Sequence, residues 1–377
     1  MTTAPHSRFI EPLDVLILRG NQLFGEPGSY GEALMPPWPS VAAGALRTRI
    51  LADAGIDMAA FASGQAAHPQ LGTPAAPGSF VLQAFQVARR AADGTVEPLM
   101  PLPADLVVQV QGDTPPQISV LHPSALHPRI CSSSPLPLAP VLPQGDERSK
   151  PASGWWLRGS GWHQYLRGQG LTAADLIHSR ELWSFDERVG VGLDGATRSA
   201  ADGQLFTVRA VAMHQGIGFV AAVAGADLPA GGSLRLGGDG RAAALHQVPV
   251  AWSEPDYAAI SAAGRCRIVL TSPGIFAGGW MLPGMDASLR VELPGLSARV
   301  VAAAVSRADT VSGWDLVARQ PKAAQKAAAA GSVYWLDELQ ATPDALHKLA
   351  TRGLWSEPCE DAQRRAEGFN RFSFASY

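Results

Sequence analysis

Glycine clusters, scattered cations and a few histidines are the residues whose spacing invites a chemical reading. Gly190-Val-Gly192-Leu-Asp-Gly195 matches G-x-G-x-x-G. That pattern cradles a pyrophosphate when a strand precedes it and a helix opens directly after it. The segment that follows here, 196–203, is short and bounded by turn residues, so the glycines read as a β-turn. The chain has no phosphate-binding G-x-x-x-x-G-K-[ST] loop, no G-x-S-x-G nucleophile elbow and no His/Cys spacing for zinc. His122 and His127 lie in a proline-rich stretch and read as exposed loop histidines before metal ligands. No nucleophile, base and carboxylate share a spacing that builds a catalytic site. No catalytic residue, metal or cofactor is therefore expected.

Contact with anions is what remains. Arg19 closes the apolar run Pro12-Leu-Asp-Val-Leu-Ile-Leu-Arg19, which reads as a buried strand. A helix is expected over 41–53, with Ser40 as its N-cap and Ala42, Leu46 and Ile50 as its buried stripe. Arg47 and Arg49 fall off that stripe. In a split βαβ unit the end of the strand lies beside the start of the helix. These arginines then read either as solvated surface groups or as phosphate contacts beside a positive helix end. Gly278-Gly279 permits close backbone approach to a ligand, or is a tight turn. Lys322, after Pro321, is a point cation or an ordinary surface lysine.

The elements that must hold these groups are mostly strands. The 377 residues suggest two or three domains, and 46% hydrophobic content is enough for real cores. With 39 glycines, 30 prolines and 17% charged residues, the chain reads as strand and loop with a handful of helices. A net charge of -3 gives no bulk attraction for nucleic acid or an anionic membrane. Three separated cysteines, the absence of a signal-like start and the lack of an 18-residue apolar run point to a reduced, cytoplasmic protein with no membrane partner.

Expected strands are 12–19, a hairpin over 79–108 turning at Asp93-Gly94, two strands within 205–224, then 266–270, 298–306, 331–336 and 371–376. Expected helices besides 41–53 are 171–181, 343–350 and 360–367. Residues 109–154 read as a proline-rich surface excursion. Both halves then follow the order strand–helix–strand–strand–helix–strand, with a poor first helix in the second half. The reading is an α+β protein of two ferredoxin-like (RRM-like, βαββαβ) domains with long loop insertions, 1–250 and 251–377.

Several stretches in order over nearly the whole chain resemble the third-subunit family of the Cmr module, from type III-B CRISPR effector complexes, within the RAMP superfamily. They are Pro12–Gly20 with Phe24-Gly25, Pro36–Arg47, Pro101–Leu106, Arg188–Asp194 with Leu205-Phe206, Leu236–Arg241, Ser312–Asp315, Pro321-Lys322 and Ala330–Tyr334. The resemblance implies two ferredoxin-like domains and a non-catalytic subunit that holds the 5′ tag of the CRISPR RNA. Its implied partners are that RNA, the large palm-domain effector subunit and the backbone RAMP subunits. On this reading Arg19, Arg47, Arg307 and Lys322 are the candidate phosphate or tag contacts, with Ser40, Gly278 and Gly279 offering backbone groups. Where the superfamily often carries a glycine-rich loop before its last strand, this chain has Gly368-Phe-Asn-Arg371. The K/R-G-F/Y-G/A-F-V-x-F/Y signature is missing, so bases are not expected to stack on a sheet face in the usual manner. The alternative is a metal-independent endoribonuclease that trims precursor CRISPR RNA, with His163, Tyr165 and Lys322 as conceivable acid–base groups that no spacing supports. A pure protein scaffold without RNA contact is the third reading.

Overall fold

The computed structural model describes residues 5–18, 20, 30–31, 33–112, 114–142, 150–315 and 320–377. It is a mixed α/β protein with mostly antiparallel sheets and few helices. The chain forms two compact units. The first takes residues 1–96, 180–250 and 311–324, and the second 97–179, 251–310 and 325–377.

The first unit is built on a sheet in the order Val81–Arg90, Ile217–Ala224, His6–Pro12, Ala242–Gln247, Gly231–Arg235, with every neighbouring pair antiparallel. Ile217–Ala224 is buried along almost its whole length, as an apolar central strand should be. The expected hairpin turn is present: Ala91 N–H donates to Thr95 O at 2.9 Å, and Asp93 accepts from Thr95 N–H at 2.9 Å. Helix Pro39–Asp53 packs on the sheet through Ala42, Leu46 and Ile50, the stripe read from the sequence. Its N-cap is Trp38, with Pro39 and Ser40 already inside the first turn, so Ser40 is not the cap. A proline preset at the helical φ moves the start two residues earlier.

The first strand is His6–Pro12, not 12–19. Pro12 has no N–H, and past it the chain bends at Asp14, which accepts from Val15 N–H at 2.7 Å and from Arg241 Nη1 at 2.6 Å. Leu16, Ile17 and Leu18 are buried outside a strand, and Leu16 and Val211 exchange hydrogen bonds of 2.8 Å. The true strand escapes the apolar pattern because it carries Arg8. That guanidinium is buried and satisfied by Leu228 O at 2.6 Å and Pro229 O at 2.7 Å.

A long antiparallel hairpin, Trp183–Leu193 with Ala200–Met213, completes this unit, with Tyr30–Gly31 parallel to its second strand. The G-x-G-x-x-G match runs along the first arm into a turn, where Asp194 accepts from Ala196 and Thr197 N–H at 2.9 and 2.8 Å. A strand follows, and the pattern is a hairpin.

The second unit has the sheet order Arg290–Leu293, Leu296–Ala304, Val333–Gln340, Cys266–Leu270, Phe372–Ala375, again antiparallel throughout. The alternation of period two sends Ile268, Leu270, Val300, Tyr334 and Leu336 to one face, under Ile260, Leu346 and Leu349 of helices Tyr257–Ala263 and Pro343–Arg352. Val269, Val301, Val333 and Trp335 point the other way, onto Leu106, Leu157, Trp162 and Tyr165. Both faces of this sheet are therefore covered. The second covering comes from 97–179, including helix Gly159–Leu166 and the antiparallel set Leu176–His178, Trp155–Leu157, Val96–Pro101.

Two expectations fail here. The proline-rich stretch is not simply an excursion: Leu106–Gln109 pairs with Gln117–Val120, His122–Ser124 with Ala139–Val141, and Leu138 N–H donates to Val301 O at 3.0 Å. Residues 171–181 are not a helix but two 3-10 turns, Ala173–Asp175 and Ser179–Glu181, around strand Leu176–His178. Thr172 and Asp175 close a capping box, which satisfies the turn locally and leaves Leu176 and Ile177 free to pair as strand. Trp156 and Trp162 are local core, and Trp155 meets His178 edge-on at 5.0 Å.

Candidate nucleic-acid interface

The sequence-derived contact residues divide between the units. Ser40, Arg47 and Lys322 belong to the first, and Gly278, Gly279 and Arg307 to the second. Arg19 lies outside the described residues. Arg47 is half-buried, its guanidinium carbon 4.9 Å from the centroid of the Phe80 ring. Arg49 is committed to structure: it pairs with Asp53 at 2.9 Å and donates to Ser233 O at 2.7 Å. Lys322 is fixed through its backbone, donating to Gly313 O at 2.8 Å and accepting from Ser312 Oγ at 2.8 Å.

In the second unit the glycine pair does more than turn the chain. Gly279 sits at φ 71°, where a side chain is strained, and nothing lies within 4 Å of where its Cβ would be. A side chain on Gly278 would meet Met281 at 2.9 Å. The turn is closed by Gly279 N–H donating to Phe276 O at 3.0 Å. Its far side is held from the core, where the buried Tyr334 hydroxyl donates to Trp280 O at 2.7 Å. Burial raises the Tyr334 pKa, so the phenol stays protonated as a donor.

This turn opens on a groove of about 460 Å³ whose lining includes Gly279, Trp280, Leu136, Val305, Ser306 and Lys326. Among the described residues, no carboxylate lines it. Arg307 is exposed and stands between two lining residues, Ser306 and Ala308. The fold thus brings Gly279 together with the strand end that carries Arg307. It adds Trp280, Lys326 and Leu136, which the sequence reading missed. Trp280 had a signal, an aromatic directly after the glycine pair. Leu136 had none, because it arrives from the proline-rich stretch.

Elsewhere, Gly368-Phe-Asn-Arg371 is buried rather than presented. Arg371 caps helix Pro343–Arg352, donating to Ala350 O at 3.1 Å and Thr351 O at 2.9 Å. Burial, then the nearby Arg365, lowers its pKa to about 10, so it is still charged at neutral pH. Two of the groups of the endoribonuclease reading have local partners in the second unit. Tyr165 is 2% exposed, and its hydroxyl donates to Asp105 at 2.8 Å; desolvation drives its pKa well up. His163 Nδ1 lies 3.1 Å from Arg167 Nη1. Among the described residues, no group of three or more His, Cys, Asp or Glu side chains is placed to hold a metal, and no helix is long and apolar enough to cross a membrane.

Comparison with known proteins adds the family. At 16% identity the chain aligns over 87% of its length, and 86% of the other chain's, with a chain in a cryo-EM structure of the type III-B Cmr-beta bound to cognate target RNA and AMPPnP, TM-score 0.44. A second structure, of type III-B Cmr-beta bound to cognate target RNA, matches at 16% identity with the same coverage and TM-score 0.43. No curated protein sequence matches. The family model described as CRISPR-associated protein (Cas_Cmr3) matches residues 8–374, and the chain belongs to that family.

Proposed function

We propose that the chain is a non-catalytic RNA-binding subunit of a type III-B CRISPR ribonucleoprotein effector complex. It holds the 5′ tag of the CRISPR RNA and bridges the large palm-domain subunit to the backbone RAMP subunits in antiviral defence. Family membership supports the assembly. The observation that carries the RNA role is the Gly278-Gly279 turn, opening on a groove that has no carboxylate among its described lining residues and is flanked by Arg307 and Lys326. With both faces of its sheet packed, the second unit leaves RNA to be met by loops and strand ends. Backbone-directed contact of that kind suits a chain whose net charge is -3, because binding is shared with other subunits.

The strand orders support ferredoxin-like domains. In the first unit Val81–Arg90, Ile217–Ala224, His6–Pro12 and Ala242–Gln247 stand as strands 2-3-1-4 of a split βαβ, with helix Pro39–Asp53 after strand 1. In the second, Leu296–Ala304, Val333–Gln340, Cys266–Leu270 and Phe372–Ala375 stand in the same order, with helix Pro343–Arg352 after strand 3. Each unit keeps one of the two helices of the motif: the first lacks the helix after strand 3, the second the helix after strand 1.

The test is photocrosslinking of the assembled complex carrying 4-thiouridine in the tag. Crosslinks to this chain are expected, and tag crosslinks confined to other polypeptides overturn the reading. Arg47→Ala is expected to lower loading of tagged RNA. Site-specific cleavage of repeat RNA by the purified chain in EDTA would replace the non-catalytic assignment.

A further inference from the structure

We propose that the second-unit groove takes a single unpaired nucleotide of the bound strand, its base against Trp280 and its phosphate toward Lys326. The proposal deepens the RNA-holding reading and rests on it.

The groove's volume of about 460 Å³ is in the range of small-molecule sites, roughly 300–1,000 Å³. Leu136, Ala303 and Val305 give it apolar walls, and Trp280 adds an aromatic ring. A base presents an apolar π face of any sequence and stacks on such a ring, while its phosphate needs a cation. Lys326 is exposed, and its ammonium, like Trp280 Nε1 and the Arg307 guanidinium, makes no hydrogen bond or ion pair with another described residue. Trp280 is ordered before any ligand arrives, because its carbonyl is held by Tyr334 and its side chain packs against the core. The open side of Gly279 leaves space beside the ring. A peptide side chain would use the apolar walls but leave the cations idle. Aromatic and cation together favour a nucleotide.

The experiment uses the whole complex with 4-thiouridine walked through the tag, and crosslinked peptides mapped by mass spectrometry. A crosslink within 274–290 or 325–330 is expected from one position only. Trp280→Ala is expected to speed RNA release about tenfold, with Trp280→Phe restoring most of it. Lys326→Ala is expected to weaken retention without changing complex assembly. If tag crosslinks fall on this chain but never on these peptides, and Trp280→Ala releases RNA at the normal rate, the groove is not a nucleotide site although the chain still holds RNA. If no tag crosslink falls on this chain, both readings fail. A crosslink from a partner polypeptide into the groove assigns it to a protein contact and overturns the proposal.

Discussion

Arg267 Nη1 donates to Asp105 Oδ2 at 2.6 Å, joining residues 162 positions apart, and both side chains are buried. Tyr165 completes the cluster: its hydroxyl donates to Asp105 Oδ1 at 2.8 Å, and its ring lies 4.3 Å from the Arg267 guanidinium carbon. Arg267 Nη2 also donates to Ser376 O at 2.7 Å. Burial alone would lower the Arg267 pKa, but Tyr165 and Asp105 outweigh it and the net shift is upward. The cluster ties the stretch 97–179 to the sheet it covers.

Asp105→Ala strands that guanidinium without its counter-ion and is expected to cost about 3–5 kcal/mol. Replacing both partners with apolar side chains of similar volume should cost far less than the sum of the single changes. The melting temperatures of the single and double variants decide this. Equal additivity would mean that the pair does not act as a unit.

Asp175 sets a limit at low pH. Burial pushes its pKa up, but hydrogen bonds from Thr172 N–H, Ser160 Oγ and Thr172 Oγ1, and the charge of Arg158, outweigh burial and hold it below the ordinary value. A carboxylate with a lowered folded-state pKa stabilises the fold above its unfolded pKa, about 3.9, and that contribution disappears as pH falls through the folded value. Asp175→Asn should therefore lower the melting temperature at neutral pH. The difference from the unmodified chain should shrink as pH falls below about 4. A difference independent of pH would assign the loss to packing.

The second-unit sheet was largely legible because its strands follow physical period. Cys266–Leu270 and Val333–Gln340 are short apolar runs, and helix Pro343–Arg352 announces itself by Thr342, which accepts from Ala345 N–H at 3.2 Å, and a proline at the start. His6–Pro12 was not legible, because a buried arginine satisfied by carbonyls looks polar in sequence. Helix Gly159–Leu166 opens on Gly-Ser-Gly, which argues for a loop. It forms because Trp162, Tyr165 and Leu166 bury one side of it. Half the groove was visible in Gly278-Gly279. The rest depends on tertiary pairing, such as Gly274 and Ala328 exchanging hydrogen bonds of 2.8 Å, that no local pattern encodes.

Arg307 and Lys326 predict a salt effect. Each cation that neutralises a phosphate on a single strand adds about 0.7 to the slope of log affinity against log salt. Arg307→Ala and Lys326→Ala should each lower that slope by about 0.7 in the assembled complex, and the double change by about 1.4. Titration of tagged RNA from low to high salt measures it. An unchanged slope would remove these residues from the phosphate path.

Asn370 does the work of a glycine before the last strand. It sits at φ 58°, fully buried, and uses its side chain as a local cross-brace. Ile275 N–H donates to Oδ1 at 2.7 Å, while Nδ2 donates to Leu354 O at 3.0 Å and Ile275 O at 3.3 Å. Asn370→Ala loses all of these and keeps a left-handed backbone, which costs a residue with Cβ about 1–2 kcal/mol. The stranded buried groups add about 1–3 kcal/mol. Asn370→Gly loses the same hydrogen bonds but relieves the backbone strain, and should lie between Ala and the native residue in melting temperature. RNA retained per folded complex should be the same in all three, because this turn braces the core and offers nothing to a ligand. Loss of RNA at full stability would return the turn to the interface.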